Sequence, residues 1–479
     1  MELKQKVVHG LKWNLAGSFF IQILNLFTKI FIARLLLPAD FGLFAMAVIL
    51  INFLNIFVGF GLMGAVICKK DDPEKTFNTA FVVTFFIGIV LSLLSFFSSG
   101  FIAAFFNEPA LEKMIWALSI VFLFDSLSAV LNGHLLRSLE YKKKSIAEIA
   151  SIFCYSAIAV SLAIFGFGVW SLILAYVVQH GFLLFFLWIS CKIKPKIEVD
   201  KKIALEILHL GKYMTFTAVL SWAITSIDNA IVGKQLGDES LGYYSFGFNI
   251  AALPVLGMTH IITSVFHPIY ARLQDEKERL RQAYIKPLEI CLLLMLPLSF
   301  GMFLLADIIV LVIFGEKWVL MTPLLRVFAI YCLFRTVCTI ISHLLEGIGK
   351  PNIASLLLGI ELFFLIIILY PAITYAGIAG VAIAVVLARG FSMVLHLFQI
   401  KKLIFVSLKD YYKIFWKKIV STLIMGIVVY FLRNIFSGNS LLILIFLIFM
   451  GVLTYSIALF FLERNIFTEV RQSLASSEK

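Results

Sequence analysis

The amino-acid sequence predicts an all-α membrane protein with about 14 transmembrane helices, and three observations lead to this fold class. Hydrophobic residues make up 61% of the 479 residues and charged residues only 14%, whereas a soluble domain carries roughly 25% charge. The mean hydropathy is +1.01. The apolar residues form runs of about 20, the length that a helix needs to cross a bilayer. A soluble enzyme, a nucleic-acid-binding protein and a disordered chain are therefore excluded.

The predicted spans follow one another with short connections. A β-barrel is excluded because its strands would be shorter and would alternate in polarity. The first span follows Lys4, Lys6 and Lys12 but is too long for a cleaved signal peptide and lacks a small-residue cleavage site. We therefore expect it to be retained. The spans are predicted at residues 12–36, 41–67, 77–98, 112–136, 146–166, 168–191, 211–233, 242–268, 286–311, 322–346, 352–371, 377–400, 414–434 and 440–462.

The basic residues predict the orientation of these spans. Of the 40 lysines and arginines, 31 fall in segments or span ends on the side of the termini, 5 on the opposite side, and 4 lie deeper within spans: Lys29, Arg34, Arg335 and Arg389. Basic residues accumulate on the cytoplasmic side of membrane proteins. The sequence therefore predicts that both termini are cytoplasmic. Because the net charge of +12 is divided in this way, it indicates orientation in a membrane and no nucleic-acid partner.

An internal repeat predicts the domain organisation. Phe41-Gly42-Leu43-Phe44 matches Leu241-Gly242-Tyr243-Tyr244 at an offset of 200, and His134-Leu135-Leu136 matches His343-Leu344-Leu345 at an offset of 209. Gly168-Val169 and Gly377-Ile378 also differ by 209. Parallel repeats of this kind are typical of transporters. We expect an N-terminal six-helix lobe at 1–192, a cytoplasmic linker at 193–210, a second six-helix lobe at 211–400, and two further helices with a cytoplasmic tail at 401–479. The two lobes would be related by a pseudo-two-fold axis along the membrane normal.

Four motifs at span ends and turns resemble a known family. They are Gly10 to Trp13, Ala33 to Leu43, Pro268 to Asp275 and Phe314 to Trp318. The chain is similar to the bacterial polysaccharide transporters, which include O-antigen and other lipid-linked oligosaccharide flippases and the colanic acid and teichuronic acid exporters. They belong to the multidrug/oligosaccharidyl-lipid/polysaccharide exporter superfamily.

The resemblance implies a non-enzymatic flippase in the bacterial cytoplasmic (inner) membrane. It would move a polyprenyl-diphosphate-linked oligosaccharide to the outer leaflet by alternating access, for assembly of cell-surface polysaccharide such as lipopolysaccharide. Polysaccharide polymerases are possible partners beside the lipid bilayer. The Pro38-Ala39-Asp40-Phe41-Gly42 motif is interpreted as a structural turn.

Ionisable residues inside the spans are the candidate functional residues, because a charge at mid-membrane is costly unless it faces a partner or a wet cavity. Guanidinium groups bind phosphate through forked hydrogen bonds, and neutral polar groups suit sugars. The carboxylates are candidates for ion coupling or gating, and Lys29 could pair with Asp228, which the repeat puts at nearly the same depth. The candidate substrate ligands are Arg335, Arg389, Lys29, Asn25, Gln22, Asn14, Asn52 and Asn55, and the candidate coupling or gating residues are Asp228, Asp125 and Glu361.

The sequence contains no motif for a nucleotide, a metal or a cofactor. Its six cysteines lie in or beside apolar runs without metal-binding spacing, and we expect them to be small buried hydrophobes. Two alternatives to a flippase stay open: a cation-coupled drug antiporter of the same superfamily, and a membrane-embedded polysaccharide polymerase or ligase. The antiporter predicts an acidic cavity with an essential carboxylate. The polymerase predicts a large external loop, and no predicted external segment is long enough for one.

Overall fold

The computed structural model describes residues 2–58, 72–191, 194–261, 266–436 and 438–463. These residues form helices and connecting turns, and no β-strand occurs among them. A π-helical turn at Val310–Phe314 and a 3-10 helix at Glu316–Met321 lie between the helices Lys277–Ile309 and Thr322–Gly347. The α-helices are α1 (Glu2–Leu35), α2 (Pro38–Val58), α3 (Pro73–Phe106), α4 (Ala110–Ser119), α5 (Val121–Arg137), α6 (Tyr141–Ile164), α7 (Val169–Ser190), α8 (Lys201–Ile261), α9 (His267–Arg272), α10 (Lys277–Ile309), α11 (Thr322–Gly347), α12 (Pro351–Ile404), α13 (Leu408–Ile435) and α14 (Leu441–Leu462).

The all-α membrane class is confirmed. Eleven helical segments of the described chain are long and apolar enough to cross a membrane. Their outward side chains are apolar as well: Phe97 is 78% exposed and Leu442 is 79% exposed. Exposure of such side chains to water would be unfavourable over so large a surface. Hydrocarbon is therefore the solvent that this surface requires.

Two long helices each contain two predicted spans joined through a glycine. In α8 the backbone turns at Gly237, which has a φ of 82°. In α12 it turns at Ala376 and Gly377, and Gly377 has a φ of 55°. Positive φ values are unfavourable for residues with a Cβ atom. These two turns account for the separate predicted spans at 211–233 and 242–268, and at 352–371 and 377–400.

Residue contacts divide the chain into two compact units, Met1–Phe246 and Gly247–Lys479. In the first unit, α6 packs against both α1 and α7, and α5 packs against α3. A buried apolar cluster, including Phe77, Leu131 and Leu187, joins α3, α5 and α7. The lobe boundaries predicted from the repeat are a different division of the chain, and they stay a prediction.

A close backbone contact within the first unit joins the start of α2 to the middle of α8. A Cβ atom added to Gly42 would overlap the carbonyl oxygen of Asp238, and one added to Gly242 would overlap the carbonyl oxygen of Pro38. The two contacts are reciprocal, because each pair differs from the other by the repeat offset of 200. Asp40 accepts a hydrogen bond from the Leu37 backbone N–H at 2.9 Å. The sequence predicts a turn from Pro38 to Gly42, whereas these residues begin α2, and the Asp40 side chain holds the start of that helix.

In the second unit, α10 packs against α11, α13 and α14, and α11 packs against α12. Its largest buried cluster includes Tyr284, Leu288 and Leu344. A second cluster, with Met425 and Leu447, holds α13 and α14 against α10. The two C-terminal helices that lie outside the sequence repeat are therefore packed into this unit.

Local geometry repeats between the two units in two places. Gly168 has φ and ψ of 53° and −133°, and Gly377 has 55° and −137°. The ring of Phe124 lies against Gly181 in the first unit, and the ring of Phe334 lies against Gly390 in the second. The glycines of each comparison differ by the offset of 209. The backbone and packing therefore support the internal repeat seen in the sequence.

Candidate functional site

Arg389, in the second half of α12, forms a buried ion pair within the second unit. Its Nη2 atom lies 3.0 Å from Oε1 of Glu361, and the two side chains are 9% and 3% exposed. The same nitrogen donates a hydrogen bond to the Tyr331 hydroxyl at 3.2 Å. The Arg389 guanidinium is thus already held by groups of the protein. Its predicted role as a substrate ligand would require this pair to open.

Asp125, on α5, pairs with a residue that the sequence did not indicate. One carboxylate oxygen contacts Nδ1 of His180, at the middle of α7. The side chains are 17% and 15% exposed. The imidazole ring also lies against Tyr176, one turn away on the same helix, with a centroid distance of 4.4 Å. The structure therefore places a titratable pair at mid-helix in the first unit.

Asp228, on α8, is buried and accepts hydrogen bonds instead of forming an ion pair. The Tyr244 hydroxyl donates to its Oδ2 at 2.7 Å, and the Asn229 backbone N–H donates to Oδ1 at 2.8 Å. Lys29 is half-buried on α1. No ion pair between Lys29 and Asp228 occurs among the described residues, so the predicted contact is not made in this conformation.

Arg335, on α11, differs from the other mid-span charges of its unit. It is half-buried and makes no hydrogen bond or ion pair with any residue for which coordinates are described. Thr339 and Ser342 extend from it along one face of the helix. An apolar cavity of about 260 Å³, lined in part by Ala329, Ile330 and Leu333, lies on the other face. Arg335 thus points away from the apolar side of α11.

Neutral polar side chains on α1 and α2 form the rest of the candidate set. Gln22 and Asn25 are half-buried on the same face of α1 as Lys29. Neither amide has a hydrogen-bond partner within the described ranges. On α2, Asn52 is exposed, and the buried Oδ1 atom of Asn55 has no partner among the described residues. The side chain of Asn14 lies outside the described part of the structure.

The sequence did not predict which mid-span charges pair with each other: the pairing expected from the repeat, Lys29 with Asp228, is not found among the described residues, and the pair of Arg389 and Glu361 was not expected. Lys29, Asp125, Asp228, Arg335, Glu361 and Arg389 were identified as three positive and three negative charges, but only Arg389 and Glu361 pair with each other. His180, Tyr244 and Tyr331 were missed. Tyr176 and His180 are four residues apart on α7 and share a helix face, which was the available signal for His180. The choice of partner depends on which helices pack together, and hydropathy does not carry that information.

The described residues contain no cluster of histidine, cysteine and acidic side chains that could hold a metal ion. The cysteines within them are free thiols. Four are buried and Cys154 is half-buried. Cys68 lies outside the described residues. The site chemistry available is therefore that of cations, carboxylates, one imidazole and neutral hydrogen-bonding groups.

The chain is similar in sequence to known proteins over most of its length. The chain is 25% identical over 442 residues to the lipopolysaccharide biosynthesis protein WzxC of Escherichia coli strain K12, covering 92% of this chain and 90% of WzxC. It is 24% identical over 404 residues to a putative O-antigen transporter of Shigella flexneri, covering 79% and 94%.

Among solved structures, the lipid II flippase MurJ in an inward closed conformation superimposes with a TM-score of 0.81. The match covers 94% of this chain and 99% of MurJ, at 19% sequence identity. This likeness shows that the chain has the fold of MurJ.

A family model described as "Polysaccharide biosynthesis protein" matches residues 31–323. The match takes in more than half of the chain, from the end of α1 through the first residues of α11. It includes the turn between α1 and α2 and the repeated segment of α8. The chain belongs to the polysaccharide biosynthesis protein family.

Proposed function

We propose that this protein is a flippase that moves a polyprenyl-diphosphate-linked oligosaccharide from the cytoplasmic to the outer leaflet of a bacterial cytoplasmic membrane. The names of the relatives support a role in moving surface-polysaccharide intermediates across a membrane. The observation that carries the proposal is Arg335, a mid-span guanidinium that makes no hydrogen bond or ion pair with the described residues. Glu361, whose charge acts on Arg335, is itself ion-paired with Arg389. The charge of Arg335 suits the diphosphate of the lipid headgroup.

The signs of the unpartnered charges favour this function over the drug antiporter. Asp125, Asp228 and Glu361 each have a protein partner. Within the described ranges, Lys29 and Arg335 are the mid-span charges that make no hydrogen bond or ion pair, and both are basic. A cation-binding cavity would need an available carboxylate. Two available cations instead favour an anionic substrate.

The neutral amides of Gln22 and Asn25 suit the sugar part of the substrate. They lie on the same face of α1 as Lys29, and neither has a partner in the described structure. Amides can donate and accept hydrogen bonds, as sugar hydroxyls require. A face that combines amides with a lysine can therefore hydrogen-bond a glycan close to its phosphate. Polysaccharide polymerases as partners remain a prediction.

Transport would follow alternating access, with no nucleotide hydrolysis in this chain. Binding of a diphosphate by permanently charged side chains involves no covalent step. The protein therefore only has to change the side of the membrane from which the lipid reaches the site. The names of the relatives and the absence of an enzymatic motif from the sequence favour this over a polymerase or ligase.

The test is transport of a fluorescent undecaprenyl-diphosphate-linked N-acetylglucosamine in proteoliposomes, with leaflet position read by dithionite quenching. We expect Arg335→Gln to lower the rate roughly 10- to 100-fold, since a hydrogen bond to a charged group contributes about 1.5–3 kcal/mol. Arg335→Lys should retain part of the rate, because it keeps the charge without the fork.

The matched control is Arg326→Gln. Arg326 is on the same helix but is 43% exposed, and it approaches Asp307 only at 4.0 Å, so the transport rate should stay near that of the unmodified protein. Full transport by Arg335→Gln would remove Arg335 from the site. Failure of the unmodified protein to move the probe, together with no accumulation of lipid-linked glycan on the cytoplasmic leaflet of cells that lack it, would overturn the flippase function.

A further inference from the structure

The pair of Asp125 and His180 has a counterpart in the second unit, and the comparison is informative. The repeat offset of 209 puts Arg389 at the position of His180. Each basic side chain lies beside a glycine that carries a phenylalanine ring, Gly181 with Phe124 and Gly390 with Phe334. Each also pairs with a carboxylate, His180 with Asp125 and Arg389 with Glu361. The basic members of the two pairs are therefore equivalent under the repeat, whereas their carboxylate partners come from different positions, Asp125 on α5 and Glu361 in the first half of α12.

The two pairs differ in whether the basic partner can lose a proton. A guanidinium stays charged at all accessible pH values, so Arg389 cannot release a proton to Glu361 or to water. An imidazole gains and loses its proton near neutral pH. The Asp125–His180 pair can consequently be neutral overall, with a carboxylate beside an imidazolium, or carry one negative charge after the imidazole has released its proton.

The exposed fraction of the side chains also differs between the two pairs. The side chains of Arg389 and Glu361 are 9% and 3% exposed, whereas those of His180 and Asp125 are 15% and 17% exposed. A site that exchanges protons must be reached by water at some stage of the cycle, and a less enclosed pair needs a smaller rearrangement for that. The pair of His180 and Asp125 is the less enclosed of the two.

The surroundings of the pair contain few other titratable groups. Tyr176 lies against His180 on α7, and Phe44 of α2 contacts Tyr176 at a centroid distance of 5.9 Å. Cys154 and Tyr155 on α6 are the other ionisable side chains in the middle of a neighbouring helix, within the described ranges. The remaining charged residues of α2, α3, α4 and α6 stand in their terminal turns or at the start of α6: Asp40, Glu74, Lys75, Glu112, Lys113, Lys142, Lys143, Lys144 and Glu148. A tyrosine hydroxyl ordinarily keeps its proton near neutral pH, so protonation in this neighbourhood falls to Asp125 and His180.

We propose that Asp125 and His180 form a proton-binding site that couples an inward proton gradient to substrate export. The proton would be taken up from water on the acidic outer side and shared between the carboxylate and Nδ1 of the imidazole. It would be released to the cytoplasm after the protein has changed the side to which it opens. One proton would enter for each cycle of export. The coupling rests on the proposed flippase function, whereas the proton site itself does not.

The proton site is tested without any substrate. Protein labelled with ¹⁵N-histidine in lipid nanodiscs is titrated between pH 5 and pH 9 by NMR, with His180→Gln to assign the resonances. We expect the His180 resonances to report proton binding within this interval, and the titration profile to change in Asp125→Asn, because a neutral amide then replaces the carboxylate beside Nδ1. A His180 whose protonation state is constant over the interval would overturn the site.

The coupling is tested with the fluorescent undecaprenyl-diphosphate sugar in proteoliposomes that carry a pH gradient. We expect transport by the unmodified protein to increase by up to about tenfold per unit of pH difference, and His180→Gln and Asp125→Asn to lose that response. His134→Gln is the matched control: His134 is on the same helix as Asp125, but its ring contacts Phe77 at a centroid distance of 4.8 Å, and the variant should keep the response.

Equal gradient responses of His180→Gln and the unmodified protein would overturn the coupling while leaving the flippase function in place. If transport by the unmodified protein itself does not respond to the gradient, the coupling is likewise overturned. If the unmodified protein does not move the probe at all, the flippase function fails for this substrate class and the coupling fails with it, and the NMR titration still decides whether the pair binds a proton.

Discussion

At the scale of single residues, the six mid-span charges show what a sequence can and cannot predict. Their positions follow directly from charged letters inside apolar runs, and the cost of a mid-membrane charge marks them as special. Their partners do not follow, because Asp125 meets His180 and Asp228 meets Tyr244 only when helices distant in the chain are packed. The candidate roles of Arg335, Lys29 and the amides stay predictions that the geometry makes more specific.

Lys418 is a residue for which the sequence interpretation needs refinement. It was grouped with the cytoplasmic basic residues, yet its side chain is 1% exposed and lies 3.5 Å from Glu463. Its Nζ atom also donates to the carbonyl oxygen of Ile414 at 3.1 Å. The neighbouring Lys417 is 30% exposed at a similar distance from Glu463. The sequence positions of Lys417 and Lys418 indicate a membrane boundary but do not show that the side chain of Lys418 is the buried one.

The Arg389–Glu361 pair gives a residue-scale prediction about stability. Arg389→Gln should lower the free energy of unfolding by about 3–5 kcal/mol, because it leaves a buried carboxylate without its counter-charge. The double variant Arg389→Met with Glu361→Leu should recover most of that loss, since no buried charge remains. The measurement is thermal unfolding in detergent. A double variant that is as unstable as Arg389→Gln would show that the charge pairing does not cause the loss.

At the scale of helices, apolar runs predicted the centres of the spans better than their ends. The predicted span at 77–98 is the middle of α3, which extends over Pro73–Phe106. The predicted span at 112–136 is two helices, α4 and α5, which meet at Ile120. Hydropathy reports the part of a helix that lies in hydrocarbon, whereas the ends depend on turns and caps. At Asn107, for example, the chain leaves α3 through a left-handed conformation.

The equivalent glycines Gly168 and Gly377 give a helix-scale prediction. Both have a positive φ with ψ near −135°, a conformation in which alanine is strained by about 1–3 kcal/mol. No atom lies within 4 Å of the Cβ position of Gly377, so Gly377→Ala measures backbone strain alone. Gly168→Ala adds a contact with Asp40 at 3.1 Å and should be at least as destabilising in thermal unfolding.

The control for both glycines is Gly359→Ala. Gly359 has helical backbone angles within α12 and, like Gly377, no neighbour within 4 Å of its Cβ position. Alanine there should be neutral or stabilising because it favours the helix. If all three variants unfold at the same temperature, the positive φ values do not carry the strain that we assign to them.

At the scale of the whole molecule, the division of basic residues carries the prediction of orientation. The sequence could predict the membrane class and the repeat because both depend on patterns that extend along the chain. It could not predict the packing of either unit, because the apolar faces are too uniform in composition to specify a neighbour. The close approach at Gly42 is an example, since nothing in the sequence names Asp238 as its contact.

Orientation is tested by labelling single cysteines in a cysteine-free variant with a membrane-impermeant maleimide. Asn439, which is exposed between α13 and α14, should react in intact cells. Ile197, which is 91% exposed before α8, should react only after the membrane is permeabilised. The excess of basic residues around position 197 sets this expectation. The reverse pattern of labelling would place the termini outside.

The reciprocal contact of Gly42 and Gly242 makes the two glycines one steric unit and not two independent sites. A methyl group on either residue must push apart the same two helix segments. Once they are apart, a methyl group on the other residue enters space that is already open. The effects of the two substitutions on stability are therefore expected to be strongly non-additive. The first substitution should cause nearly all of the destabilisation. Selection at one position relaxes as soon as the other has changed, so the pair is kept or lost together.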